Sequence, residues 1–155
     1  MIYKETEDGL LKQGLIKPCP RDWKAVGKLI QRAQVDLVTA ERNLDDDPEC
    51  AFSYAYNAML RSGLALMFSR GFRPEIKDKH LTIVKYTGAI VGKKYEDVLN
   101  DYNFMRRKRN NFIYEPDIPC SLIEAKNALE TARKFIALID GIIKRHKPQI
   151  ELGLP

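Results

Sequence analysis

Between Pro48 and Arg70 the chain lays Phe52, Tyr54, Ala55, Tyr56, Ala58, Met59, Leu60, Leu64, Ala65, Leu66, Met67 and Phe68 over nearly the whole circumference of a helix. A helix apolar on every side must be covered on every side, so it is expected at the centre of a bundle. Asp47 is placed to cap its start with Pro48 at the first helical position, and Gly71 is placed to stop it. Its aromatic and methionine side chains read as core rather than as a cofactor box.

The flanking segments supply helices to surround it. One is expected from a cap at Asp22 to about Leu44, with the stripe Val26, Leu29, Ala33, Leu37, Ala40 and Leu44. The turn Asp45-Asp46-Asp47-Pro48 ends it. A shorter helix near Lys77 to Val91 is expected to be interrupted at Gly88. A fourth, about Lys94 to Ile113, carries Tyr95, Val98, Leu99, Tyr102, Met105, Arg109 and Phe112 on one face. Glu115-Pro116-Asp117-Ile118-Pro119 then breaks the chain, and Ser121-x-x-Glu124 is a capping box for the last helix. That helix repeats Leu122, Ala125, Leu129, Ala132, Ile136, Ile139 and Ile143, with Ala128, Phe135 and Ile142 widening the face.

No strand alternation or internal repeat appears. The expected architecture is an all-α, up-and-down bundle of four to five helices, forming a single domain over residues 21–147. Residues 1–20 form an N-terminal arm, with room for a short helix over roughly Glu5 to Gln13, and residues 148–155 form a C-terminal tail. The breadth of the apolar faces on the last two helices predicts a homodimer.

Composition narrows the chemistry. With 155 residues, 45% apolar and 30% charged, the chain can bury a core without disulfides or metal. Its formal charge of +5 leaves polyanions open as partners. Cys19, Cys50 and Cys120 show no zinc-ligand spacing, so idle thiols in a reducing cytoplasm are the expectation. The first residues lack the apolar core of a signal peptide, and no apolar run reaches membrane-spanning length. No metal motif, P-loop, nucleophile elbow or dinucleotide fingerprint is present, so neither metal nor cofactor is expected.

The anomaly is Arg106-Arg107-Lys108-Arg109-Asn110-Asn111-Phe112-Ile113-Tyr114. Arg109 falls on the inward stripe, where desolvating a charge costs several kcal/mol unless it finds a partner. It either forks onto a carboxylate such as Asp101 or Glu115 or onto loop carbonyls, or waits for a ligand. Arg106, Arg107 and Lys108 read as helix-end cations or as phosphate contacts. Asn110 and Tyr114, four residues apart, share a face that Arg109 does not. His80, near the start of the third helix, and His146, in the last turn of the final one, are the only histidines.

Several pieces in order carry a family resemblance. Ala51-Phe52-Ser53-Tyr54-Ala55-Tyr56-Asn57-Ala58-Met59-Leu60-Arg61 resembles the alanine- and tyrosine-rich core helix of the HEPN domain. Ser69-Arg70-Gly71-Phe72-Arg73-Pro74 resembles the turn after it, with His80 shortly beyond. Arg109-Asn110 is similar to the family's motif of arginine, a polar residue and, four to six residues on, histidine. The likeness spans roughly Asp22 to Lys144.

What the resemblance implies is an all-α homodimer whose two motifs face one basic cleft. Many members are metal-independent ribonucleases, often toxins paired with a minimal nucleotidyltransferase; others bind nucleotides, nucleic acid or proteins. Carried over, Arg109 is the motif arginine, Asn110 the polar residue, and Tyr114 stands where histidine belongs. Tyrosine, with an unperturbed pKa near ~10 against ~6.5 for histidine, is a poor base at neutral pH. The expected function is therefore RNA or nucleotide binding through Arg106, Arg107, Lys108, Arg109, Asn110, Tyr114 and His80, with nuclease activity weak or absent. The rivals are an active ribonuclease toxin using Tyr114 or His80, and a non-catalytic subunit holding a nucleotidyltransferase.

Overall fold

The computed structural model describes residues 4–147; the expected tail at 148–155 lies outside the described residues. The chain order is α1 (Glu7–Lys12), β1 (Ile16–Pro18), α2 (Trp23–Asn43), α3 (Pro48–Ser69), β2 (Phe72–Pro74), α4 (Lys79–Val91), a single 3-10 turn (Lys93–Tyr95), α5 (Glu96–Tyr114) and α6 (Leu122–His146). Five long helices make the bundle and α1 is the short helix of the arm. The all-α expectation holds.

The apolar helix sits where its pattern demands. α3 packs against α2, α6, α4 and α5, and Phe52, Ala55, Tyr56, Met59, Leu66 and Met67 are all essentially inaccessible. The caps read from the sequence form as expected. Asp22 accepts from the Ala25 amide at 3.0 Å and Asp47 from the Cys50 amide at 3.1 Å. Ser121 and Glu124 complete the reciprocal capping box of α6.

Two details differ, and the attachment of the arm, which the sequence left open, is resolved. β1 and β2 pair antiparallel, with Ile16 opposite Pro74, Lys17 opposite Arg73 and Pro18 opposite Phe72. Strands this short, each with a proline that cannot donate to a ladder, leave no alternation to read. Gly88 does not interrupt α4; it is buried within the helix, which ends instead at Gly92 with φ of 75°. The arm is docked rather than loose, because Glu7 accepts from Arg70 Nε at 2.7 Å and from the Tyr86 hydroxyl at 2.6 Å. Among the described residues no helix is long and apolar enough to cross a membrane.

One buried charge went unread. Asp36 of α2 is fully buried and accepts from Arg61 Nε of α3 at 2.7 Å. Arg32 Nε lies 3.4 Å from the other carboxylate oxygen, within ion-pair reach but without a hydrogen bond. This pair pins α2 to α3.

Candidate functional site around Arg109, Tyr56 and His80

α5 runs unbroken through Tyr114, so its helical angles decide which motif residues can meet. Arg106 and Arg109, three apart, share the side that carries the buried Tyr102. Tyr114 lies roughly 140° around the helix from Arg109. It is 77% exposed. Asn110 is exposed as well and, with Phe104, Arg107, Lys108 and Asn111, lines an open pocket of about 490 Å³. Lys108 is engaged elsewhere: its Nζ is 3.2 Å from Glu124 of α6 and lies over the Phe112 ring.

Arg109 turns the other way. It is half-buried, and its guanidinium carbon lies 5.4 Å from the centroid of the Tyr56 ring. Such a cation–π contact stabilises a partly desolvated arginine by about 1–2 kcal/mol, while leaving its N–H donors uncommitted. Neither Asp101 nor Glu115 pairs with it. Among the described residues no carboxylate forms an ion pair with Arg106, Arg107 or Arg109. Arg106 donates through Nε to Asn103 Oδ1 at 3.1 Å, which orients the side chain without neutralising it.

Tyr56 is where the cluster joins. Its hydroxyl lies 2.9 Å from Nδ1 of His80, in the first turn of α4. Its ring meets that of Tyr102 edge-on at 5.9 Å, and Tyr102 in turn packs on Phe135 of α6 at 4.9 Å. Four helices therefore fix the position of one phenol. α4 can come this close because α3 carries Gly63 at the crossing, where an added Cβ would stand 2.5 Å from the Ile83 methyl. β2 sets the start of α4: its pairing with β1 holds the chain just before Asp78, which enters the helix in the left-handed region at φ 52°.

The electrostatics follow from this geometry. Burial pulls the His80 pKa below its ordinary value, and the charges of Arg109, Arg106 and Lys79 push it further down, so the ring is neutral at pH 7. Burial pushes the Tyr56 pKa up to about 12 against the opposing pull of Arg109 and Arg106, so the phenol keeps its proton. The positive end of the α4 dipole adds to the same field. The arrangement offers two arginine forks, an imidazole and a positive potential, with neither arginine paired to a carboxylate among the described residues: the makings of an anion-binding site.

Sequence reasoning found Arg109 and His80 separately; it took Tyr56 for core and so missed what connects them. Tyr56 is indeed core, and no periodicity distinguishes a buried phenol that touches a guanidinium from one that touches only leucines. Arg106, three residues before Arg109, was legible as sharing its face.

Comparison with curated proteins and with solved structures finds no match. A family model described as HEPN domain matches residues 26–142, which takes in α3, α4, α5 and every residue of the cluster. Arranged in this fold and matched over most of its length, the chain belongs to the HEPN domain family.

Proposed function

We propose that the protein binds RNA or a nucleotide through its phosphate groups, with Arg106 and Arg109 as the principal contacts. Family membership supports a nucleotide- or RNA-related role. The observation that carries the reading is the state of Arg109: half-buried, stacked on Tyr56 and free of any carboxylate among the described residues. An arginine kept only for structure would be expected to be neutralised, since an uncompensated cation at a partly desolvated position destabilises the fold. This also weighs against a purely structural subunit.

The chain would work as a homodimer. Ile113, Tyr114 and Ile123 are exposed at 56%, 77% and 71% around the C-terminal end of α5 and the start of α6. A second copy covering them would bring Asn110 and Tyr114 of one subunit toward the other's basic surface. Cleavage would be weak or absent, because the residue at the motif-histidine position is a phenol. A minimal nucleotidyltransferase remains the partner that the family resemblance implies.

Fluorescence titration with a short single-stranded RNA tests the reading. Wild-type protein should bind, with affinity falling as salt rises, and Arg109→Ala should weaken binding by about tenfold or more. Equal binding by Arg109→Ala, or binding indifferent to salt, contradicts it. Incubation with RNA in chelator separates binding from catalysis.

A further inference from the structure

The cluster carries more than a generic affinity for polyanions, because its third member can change charge. Arg106 and Arg109 act together on His80, and no carboxylate among the described residues pairs with either arginine. The groups that bear on the imidazole are the phenol of Tyr56 from α3, Arg106 and Arg109 from α5, and Lys79 from its own helix. All are cationic or neutral. Burial is the first cause of the lowered pKa, and the arginines are the next; a ligand that neutralised them would remove their share and place a negative charge beside the ring.

Resting on the phosphate-binding reading, we infer that the cluster takes a terminal phosphate, the monoester group of a nucleotide or of an RNA end, and that His80 gains a proton as it binds. A bridging phosphodiester carries a single negative charge, whereas a monoester carries about −1.5 to −2 at pH 7 and presents three acceptor oxygens. The two arginines carry two positive charges, which match the second and over-match the first, and a dianion held beside the imidazole favours its protonated form.

Tyr56 lets the ring change state in place. In the tautomer with the ring proton on Nε2, Nδ1 of the neutral ring accepts from the hydroxyl. When His80 is protonated, Nδ1–H donates to the phenol oxygen instead, and Nε2–H is the donor left for the phosphate. Tyr56 is here a positioning residue. It touches the imidazole and lies under Arg109 without reaching the ligand.

Calorimetry of the full chain at pH 7, in two buffers of different ionisation enthalpy, tests this with three probes: a 5′-phosphorylated oligoribonucleotide, its 5′-hydroxyl counterpart and AMP. The His80 ring is followed by NMR, with His146 as internal control. The phosphorylated oligomer should bind about tenfold more tightly than the hydroxyl form and raise the pH at which His80 titrates; the net proton exchange is the uptake by His80 less the residual proton the monoester gives up, and the difference from His80→Gln isolates the first. Comparable behaviour of AMP identifies a mononucleotide as sufficient; its failure beside a responsive oligomer assigns the site to RNA ends. His80→Gln, at a partly exposed position, should abolish the uptake that His80 provides and reduce the preference, which the two arginines still support. Tyr56→Phe should reduce the uptake more than the affinity. Equal binding of the two oligomers without proton uptake by His80 overturns this inference while leaving RNA binding intact. If none of the three binds, both fall.

Discussion

Arg109 rests on the face of Tyr56, its guanidinium carbon 5.4 Å from the ring centroid, where a carboxylate would ordinarily be found. The contact explains how an arginine survives on the inward stripe of α5. Its planar cation is stabilised by a π face that asks for none of its N–H donors. The same phenol reaches His80 with its hydroxyl, so one side chain holds the two others at fixed places.

The two parts of Tyr56 are separable. Tyr56→Phe keeps the ring beneath Arg109 and its edge contact with Tyr102, and loses only the bond to His80; it should destabilise the fold by about 1 kcal/mol. Tyr56→Ala empties a fully buried aromatic site and should cost about 3–5 kcal/mol. Urea denaturation measures both, and a Phe variant as unstable as the Ala variant would refute the division.

His80 makes stability depend on pH in a stated direction. Its folded pKa is held below the ordinary value of 6.5 by burial and then by Arg109, Arg106 and Lys79. The unfolded chain thus binds the proton more readily than the folded one. The resulting stability is complete above about pH 6.5 and is lost as pH falls toward the folded pKa. Melting curves between pH 7.5 and 5.5 should show wild type losing stability faster than His80→Gln; parallel slopes would contradict the assignment.

Gly63 should tolerate no side chain. With an added Cβ only 2.5 Å from the Ile83 methyl, Gly63→Ala must push α4 from α3. The expected loss is about 1–3 kcal/mol. Because α4 carries His80, the His80 NMR resonances should shift as well. A stability change without that shift would separate the helix crossing from the site.

Asp36 should prove to be a structural pin. Its carboxylate is inaccessible and bonded to Arg61 at 2.7 Å. Asp36→Ala is expected to destabilise by about 2 kcal/mol, below the cost of breaking a fully buried pair, because Arg61 is partly exposed and can turn to water. Nucleic-acid binding at matched folded concentration should be unchanged. Loss of binding in this variant would move the functional surface to the α2–α3 side.

Reading the chain alone reached the bundle because the signals were long and local. The all-round apolar α3, the three-four stripe of α6 and the caps at Asp22, Asp47 and Ser121 each decide their own element. The strands were illegible for the opposite reason: Ile16–Pro18 and Phe72–Pro74 become strands only by finding each other across α2 and α3. At the site, the test that isolated Arg109, a charge on an inward stripe, applies equally to Asp36, which sits between Ala33 and Ala40 on the buried face of α2. The pairing of His80 with Tyr56 joins residues 24 apart in sequence and was beyond any periodicity. Helical angle also separates Arg109 from Tyr114, so residues adjacent in the written motif occupy different faces of the folded chain.

On the proposed function Arg106 and Arg109 are cations that no carboxylate neutralises and that bind phosphate, and the salt dependence of RNA binding tests this most directly. The slope of log K against log salt counts the phosphates neutralised, at about 0.7 per contact for single strands. The Arg106→Ala, Arg109→Ala double variant should flatten that slope by about 0.7 for one phosphate shared by the two arginines, and by about 1.4 if each holds its own. An identical slope in the two proteins would show that phosphate is bound elsewhere and would contradict the account.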